Sequence, residues 1–208
     1  HIYDATRTHY LLWRRRLIAE LEPPRGGHVV EIACGTGWNL VRAARQYPAT
    51  SFHGFDISRE MLATASHALA RKSLAQRVQL AQGDATNFDL QNLFGIETAD
   101  RIFISYALSM IPGWPQVIYR SLAQLAPDGA LHIVDFGRMD AMPRLPRAAF
   151  LQFLAHYNVT PRRDLEMALT EAAHRFKATL SFQESAMGYC THAVLKRGRA
   201  ASMPCHPH

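Results

Sequence analysis

Glu31, Gly35, Gly37, Asp56 and Asp84 fall at intervals that suit a single ligand. Gly35 and Gly37 close the stretch Val30-Glu31-Ile32-Ala33-Cys34-Gly35-Thr36-Gly37, where an apolar run gives way to a helical pattern. Two glycines there let the backbone turn tightly and come close to a bound group. Asp56 stands in Gly54-Phe55-Asp56-Ile57-Ser58. A carboxylate about 20 residues past such a turn can accept from both hydroxyls of a ribose. Asp84 stands in Gln82-Gly83-Asp84-Ala85, where its carboxylate can accept from an adenine amino group and the Ala85 N–H can donate to the ring. Both acids have plainer uses: Asp56 as a cap for the helix beginning near Ser58, and Asp84 as the closure of an Asx turn. An NAD site would want a glycine where Leu40 stands, and the Gly-Lys-Ser of a phosphate loop is absent. These residues therefore point to an adenosine without phosphates.

A second group could meet the reacting partner. Tyr106 lies in Ser105-Tyr106-Ala107-Leu108-Ser109-Met110-Ile111-Pro112, just past the fourth strand pattern. Open parallel sheets bind ligands at the carboxyl ends of their strands, which makes Tyr106 the candidate catalytic residue and a packed aromatic its bland alternative. Tyr3, Arg7 and Tyr10 precede the fold proper. A segment there could close over a ligand, with Arg7 on a carboxylate, or be a solvated arm. The eleven histidines include no HxxxH or Cys/His spacing, and no metal is expected.

The elements that position these residues alternate. Tyr10 to Leu21 reads as a helix, stopped by Pro23-Pro24 and Gly26-Gly27. His28 to Ile32 is a buried strand, followed by the glycine turn and a helix from Trp38 to Gln46. Ser51 to Phe55, Val78 to Ala81, Ile102 to Ile104 and Ala130 to Val134 are the next strands. Helices are expected from Ser58 through Leu69 and from Val117 to Leu125, the latter ending in a Pro127-Asp128-Gly129 turn. Stretches around Phe182 and Ala193 to Leu195 read as a late edge hairpin. Such alternation argues for a parallel sheet with helices on both faces. Arg138 to Lys177, with two helical patterns and three prolines, is too long for an ordinary connection and is expected to be a substrate-binding insertion. The organisation expected is one domain over 1–197, with 1–25 as a cap, 138–177 as the insertion and 198–208 as a disordered tail.

The 208 residues are 48% hydrophobic, enough for one buried core, and no apolar run approaches the roughly 20 residues of a membrane span. Three cysteines make neither a disulfide framework nor a CxxC pair, and no leader pattern opens the chain, so a cytosolic place is expected. A formal charge of +6 suits an acidic partner or is simply a basic surface. The Arg14-Arg15-Arg16 run could meet anionic headgroups or be a solvated helix face. Met142, Leu145, Phe150, Leu151, Phe153 and Leu154 could admit lipid chains or be ordinary helix core.

Glu31…Gly35-x-Gly37, Asp56 and Asp84-Ala85, in that order and phase, resemble the pattern of class I S-adenosylmethionine-dependent methyltransferases, over roughly Gly26 to Phe136. The resemblance implies a Rossmann-like α/β fold: a mostly parallel seven-stranded sheet with helices on both faces, here with a helical insertion after strand five. It implies S-adenosylmethionine as cofactor and S-adenosylhomocysteine as product. The candidate contacts are Tyr3, Arg7, Tyr10, Glu31, Ala33, Cys34, Gly35, Gly37, Asn39, Asp56, Ile57, Met61, Asp84, Ala85, Ser105 and Tyr106. One departure is Ala33, where the family's usual first glycine stands; alanine costs little there unless φ is positive.

His1-Ile2-Tyr3-Asp4-Ala5-Thr6-Arg7, Tyr10-Leu11-Leu12, Cys34-Gly35-Thr36-Gly37-Trp38-Asn39-Leu40 and the stretch from Ser105 to Pro112 further resemble the N-methyltransferases of betaine-lipid synthesis. Those enzymes trimethylate diacylglyceryl-homoserine to diacylglyceryl-trimethylhomoserine. That likeness implies a lipid-headgroup substrate, no nucleic acid, and a cytoplasmic enzyme in transient contact with the anionic inner membrane surface. It also implies association with a 3-amino-3-carboxypropyl transferase. Competing readings are methyltransferases of another phospholipid amine, a quinone or a soluble metabolite. A reading of another class is a non-catalytic cofactor-binding subunit.

Overall fold

A computed structural model of the chain describes residues 11–198. Tyr3, Arg7, Tyr10 and the tail from residue 199 lie outside them. The first element among the described residues is a short helix, α1 (Arg14–Ala19). Strands and helices then alternate: β1 (His28–Ile32), α2 (Trp38–Gln46), β2 (Ser51–Asp56), α3 (Arg59–Ala70), β3 (Val78–Gln82), α4 (Leu90–Phe94), β4 (Ala99–Ser105), α5 (Trp114–Ala123) and β5 (Leu125–Phe136). They are followed by α6 (Arg144–His156), α7 (Leu165–Phe176), β6 (Ala178–Glu184) and β7 (Cys190–Arg197).

The seven strands form one sheet in the order β3-β2-β1-β4-β5-β7-β6. β1 to β5 run parallel, and β7 lies antiparallel between β5 and β6. The reversal of strand order falls between β1 and β4, which opens a crevice at the carboxyl ends of these strands.

The inner strands are apolar on both faces because both are covered. Val30, Ile32, Ile102, Ile104, Leu131 and Ile133 face one core, closed by residues of α4, α5 and α7. Val29, Phe52, Phe103, Val134 and Phe136 face the other, closed by residues of α1, α2, α3 and α6.

Local chemistry sets the ends. Ser58 caps α3 by accepting from the Met61 N–H at 3.3 Å. Pro115 stands in the first turn of α5, where its missing N–H has no helical partner to lose. The turn expected at Pro127-Asp128-Gly129 is absorbed into β5: Leu125 already pairs with Ala99, and pairing resumes at Ala130 opposite Arg101 after a register shift. Asp128 takes the left-handed conformation there, φ 62°. Helix α4 has too few residues to show a period; it begins where Asp89 accepts from the Asn92 N–H at 2.9 Å.

Helix α7, the second half of the expected insertion, buries Leu165, Leu169, Ala172 and Ala173 in the sheet's core and is a layer helix. What remains of the expected insertion is the segment 138–164 with α6, which lays Phe150, Leu151 and Leu154 on the second core. Its return is fastened to the loop after β4: the Thr160 N–H donates to Ser109 O, and Arg162 donates to Leu108 O and Ile111 O, both at 2.9 Å.

Candidate functional site

The turn after β1 holds three residues in the left-handed region: Ala33 (φ 53°), Gly35 (φ 53°) and Gly37 (φ 73°). Gly37 is also crowded, since a Cβ there would sit 3.0 Å from that of Ala65 in α3. Asp56 ends β2 and ties this turn to the next one. Its Oδ2 accepts from the Gly35 N–H at 2.8 Å, and its Oδ1 from the Ser58 N–H at 2.9 Å. The helix cap is Ser58 itself, so Asp56 is held at the mouth of the crevice rather than spent on α3. Asp84 does close an Asx turn: its Oδ1 accepts from the Thr86 N–H and Oγ1, both at 2.8 Å. These bonds, the backbone one first, hold its carboxyl below the usual carboxylate range.

A cleft of about 690 Å³ opens between these turns. Ala33, Asp56, Ile57, Asp84 and Ala85 line one side, and Met110, Ile111, Pro112 and Gly113 of the loop after β4 line the other. Ile57 stands 69% exposed at its rim, an uncovered apolar side chain beside two acids. That geometry suits a flat, partly apolar group carrying hydroxyls and an amine. The opposite wall belongs to the stretch from Ser105 to Pro112 that the sequence places just past the fourth strand, though there Tyr106 and not Met110 or Ile111 is the expected contact.

Beneath the glycine turn, Glu31 is almost fully buried at 1% exposure. Its Oε1 accepts from the Asn39 side-chain amide at 2.5 Å, and Asn39 Oδ1 accepts from Arg14 Nε at 3.0 Å. Burial pushes the Glu31 carboxyl up to about 8, against the opposing pull of the Asn39 bond and the Arg14 charge. Its Oε2 and the Oγ of Ser105, on neighbouring strands, are buried with no hydrogen-bond partner. Such orphaned acceptors at the carboxyl ends of β1 and β4 fit a ligand with an ammonium. The described residues therefore suit S-adenosylmethionine, with Asp56 and Asp84-Ala85 at the adenosine and Glu31 and Ser105 as the groups for its amino-acid end.

Other sequence candidates sit elsewhere. Cys34 is buried, and burial drives its thiol pKa well up. Met61 lies on α3 and is not part of the cleft wall. Tyr106 (φ 55°) is also outside that wall. Its ring packs edge-on against Phe136 with centroids 4.7 Å apart, and its hydroxyl donates to Leu12 O at 2.8 Å. Burial raises its pKa, so the phenol keeps its proton.

The arginine run is mostly engaged within the fold. Arg14 lies 4.0 Å from the Trp38 ring centroid, Arg16 pairs with Glu20 at 2.6 Å, and Arg15 alone of the three is exposed. Arg14's link to Asn39 has no signal in the sequence, because a basic residue on a helix face gives no sign of what it will meet. Among the described residues, no group of three or more His, Cys, Asp or Glu could hold a metal ion.

A sheet in this order, with a glycine turn after β1 and acids closing β2 and following β3, defines the class I S-adenosylmethionine-dependent methyltransferase fold. Residues 29–129 match the family described as "Methyltransferase domain". The demethylmenaquinone methyltransferase of Lactobacillus johnsonii is 27% identical over 124 residues, 59% of this chain and 49% of the relative. The trans-aconitate 2-methyltransferase of Variovorax paradoxus is 31% identical over 137 residues, 64% of this chain and 48% of the relative. The chain thus spans about half the length of these curated relatives. The solved phosphoethanolamine N-methyltransferase 2 of Haemonchus contortus, in complex with S-adenosyl-L-methionine, superposes with a TM-score of 0.73 at 16% identity, covering 89% of this chain and 52% of that one. The fold is thus that of the class I methyltransferases, S-adenosylmethionine-dependent enzymes, and the family match over residues 29–129 spans just under half of the chain.

Proposed function

We propose that this domain methylates the amine of a lipid headgroup, that of diacylglyceryl-homoserine, three times to give the betaine lipid diacylglyceryl-trimethylhomoserine. When bound, S-adenosylmethionine supplies a methyl group on a sulfonium, lost to a nucleophile by in-line displacement to leave S-adenosylhomocysteine. Asp56, Asp84 and Ala85 hold the adenosine, and Glu31 and Ser105 the amino-acid end. The protein's own work is alignment and exclusion of water. An amine must lose its proton to react, and a poorly solvated site next to a cation lowers its pKa without a strong base. Tyr106, with its hydroxyl committed to Leu12 O, serves this reading as a brace rather than a proton acceptor. Methylation stops at a quaternary ammonium, which has no lone pair.

The observation that carries the lipid reading is the segment 138–164. It packs one face over the second core, is fastened to the cleft's own wall through Arg162, and leaves Leu145, Phe153 and Tyr157 exposed. The sequence likeness to betaine-lipid N-methyltransferases and the fold shared with a phosphoethanolamine N-methyltransferase support an amine acceptor. The demethylmenaquinone relatives favour a second reading, a quinone acceptor.

Mass spectrometry after incubation with methyl-deuterated S-adenosylmethionine separates the two. Diacylglyceryl-homoserine gaining three labelled methyls is the expected result. Labelled demethylmenaquinone with unlabelled lipid would replace the reading with the quinone one.

A further inference from the structure

Helix α6 carries a stripe of side chains at intervals of four, Leu145, Ala149, Phe153 and Tyr157, the last at its C-cap. All are exposed, Leu145 at 84%, Phe153 at 42% and Tyr157 at 48%. The opposite face is the packed one: Phe150, Leu151 and Leu154 join the core around Phe136 and Tyr106. The rings of Phe150, Phe153 and Tyr157 are in sequential contact, at centroid distances of 6.0 and 5.2 Å. The helix thus shows one apolar stripe to its core and another to solvent.

The charge of this segment is mostly basic, with Arg138 paired to Glu166 and Glu184 of neighbouring elements. Residues 138–163 contain five arginines and a single carboxylate, Asp140, and α6 itself contains no acid. Asp140 is already shared by Arg147 at 2.9 Å and Arg163 at 3.0 Å, and Arg144 is exposed beside the stripe.

We infer that α6 is an interfacial helix, which lays Leu145, Ala149, Phe153 and Tyr157 into the surface of an anionic bilayer with Arg144 among the headgroups. A helix with an exposed apolar face and a basic margin binds such a surface through both. A second copy fits less well. A twofold contact through this face would bring the two basic rims together. The four exposed side chains also fall well short of the roughly 800 Å² per partner of a stable interface. The docking element is therefore α6 rather than the arginine run of α1, two of whose side chains are engaged within the fold. For the purpose of this contact the inference rests on the lipid-headgroup reading. The return from α6, through Thr160 and Arg162, ends on the loop carrying Met110 and Ile111 at the cleft.

The test is co-sedimentation of the chain, without cofactor or acceptor, with vesicles of phosphatidylcholine alone or mixed with phosphatidylglycerol. Binding to the mixed vesicles, weakened by salt, is expected. The double variant Leu145→Glu, Phe153→Glu should lower the partition coefficient at least about tenfold. Arg144→Glu should lower it less and flatten the salt dependence. Both changes are on exposed positions, and a matching thermal melt checks the fold. Failure of the parent to sediment, or equal sedimentation of the double variant, overturns the inference. A parent dimer in light scattering that the double variant dissolves, without vesicle binding, would reassign the face to self-contact. Vesicle binding that persists while diacylglyceryl-homoserine stays unmethylated would sink the acceptor reading and leave the interfacial helix standing.

Discussion

Asn39 holds Glu31 Oε1 at 2.5 Å and is itself held by Arg14 Nε at 3.0 Å, so one chain of hydrogen bonds runs from α1 to the strand beneath the glycine turn. Its buried end titrates. The Glu31 pKa rises from 4.5 to about 8 on folding, mainly by desolvation. Between those values the folded protein keeps a proton that the unfolded chain has lost, so folding stability falls as pH rises through this window and levels off above about 8. Glu31→Gln keeps the shape and removes the titration. Urea unfolding at pH 5, 7 and 9 should show a flatter stability profile in the variant than in the parent. Parallel profiles would mean that Glu31 is ionised throughout.

Asp56→Ala tests the adenosine site. The carboxylate spans two backbone N–H groups and lines the cleft. Loss of a hydrogen bond to a charged group costs about 1.5–3 kcal/mol. Calorimetric titration with S-adenosylhomocysteine should show affinity reduced by one to two orders of magnitude, about the same energy. An unchanged Kd would remove Asp56 from the site.

Much of this arrangement is readable from residue order alone. Gly35, Gly37, Asp56 and Asp84 lie within a few residues of the strands that place them, and strand β1 and helix α2 have the bounds their patterns give. What is not readable depends on contacts distant in sequence. Arg14 and Asn39 are 25 residues apart, and only packing shows that an apparently solvated arginine reaches a buried amide. Tyr106 is 94 residues from the carbonyl it binds. Helix α4 is set by one Asp89 cap rather than by a period. The Pro127–Gly129 segment reads locally as a turn and becomes strand because its flanks pair with β4.

Ala33 is the departure from the glycine pattern that backbone geometry makes consequential. Its φ is 53°, in the region that disfavours a Cβ by roughly 1–2 kcal/mol. Elsewhere an alanine-to-glycine change loses about 0.5–1 kcal/mol through chain entropy. Ala33→Gly should therefore leave stability unchanged or raise it by up to about 1.5 kcal/mol, the difference of those two effects. Thermal melts against an Ala→Gly change in a helix, such as Ala43→Gly, provide the contrast. Equal losses at both positions would mean that Ala33 is not strained in solution.

Tyr106→Phe separates bracing from chemistry. The ring stays packed on Phe136, and the hydroxyl's contacts with Leu12 O and the Cys190 side chain are lost. A neutral hydrogen bond of this kind contributes about 0.5–1.5 kcal/mol, so a small drop in stability is expected. The bond fastens the start of the described chain to the carboxyl end of β4. Tyr106 lies outside the wall that holds Asp56 and Asp84, so S-adenosylhomocysteine affinity should change by less than about twofold, under 0.5 kcal/mol. Turnover should fall further than that, because the start of the described chain is no longer pinned to the carboxyl end of β4. The split is read from calorimetry beside steady-state kinetics. If affinity and turnover fall together, Tyr106 belongs to the cofactor site. If neither moves while stability drops, its hydroxyl serves the fold alone.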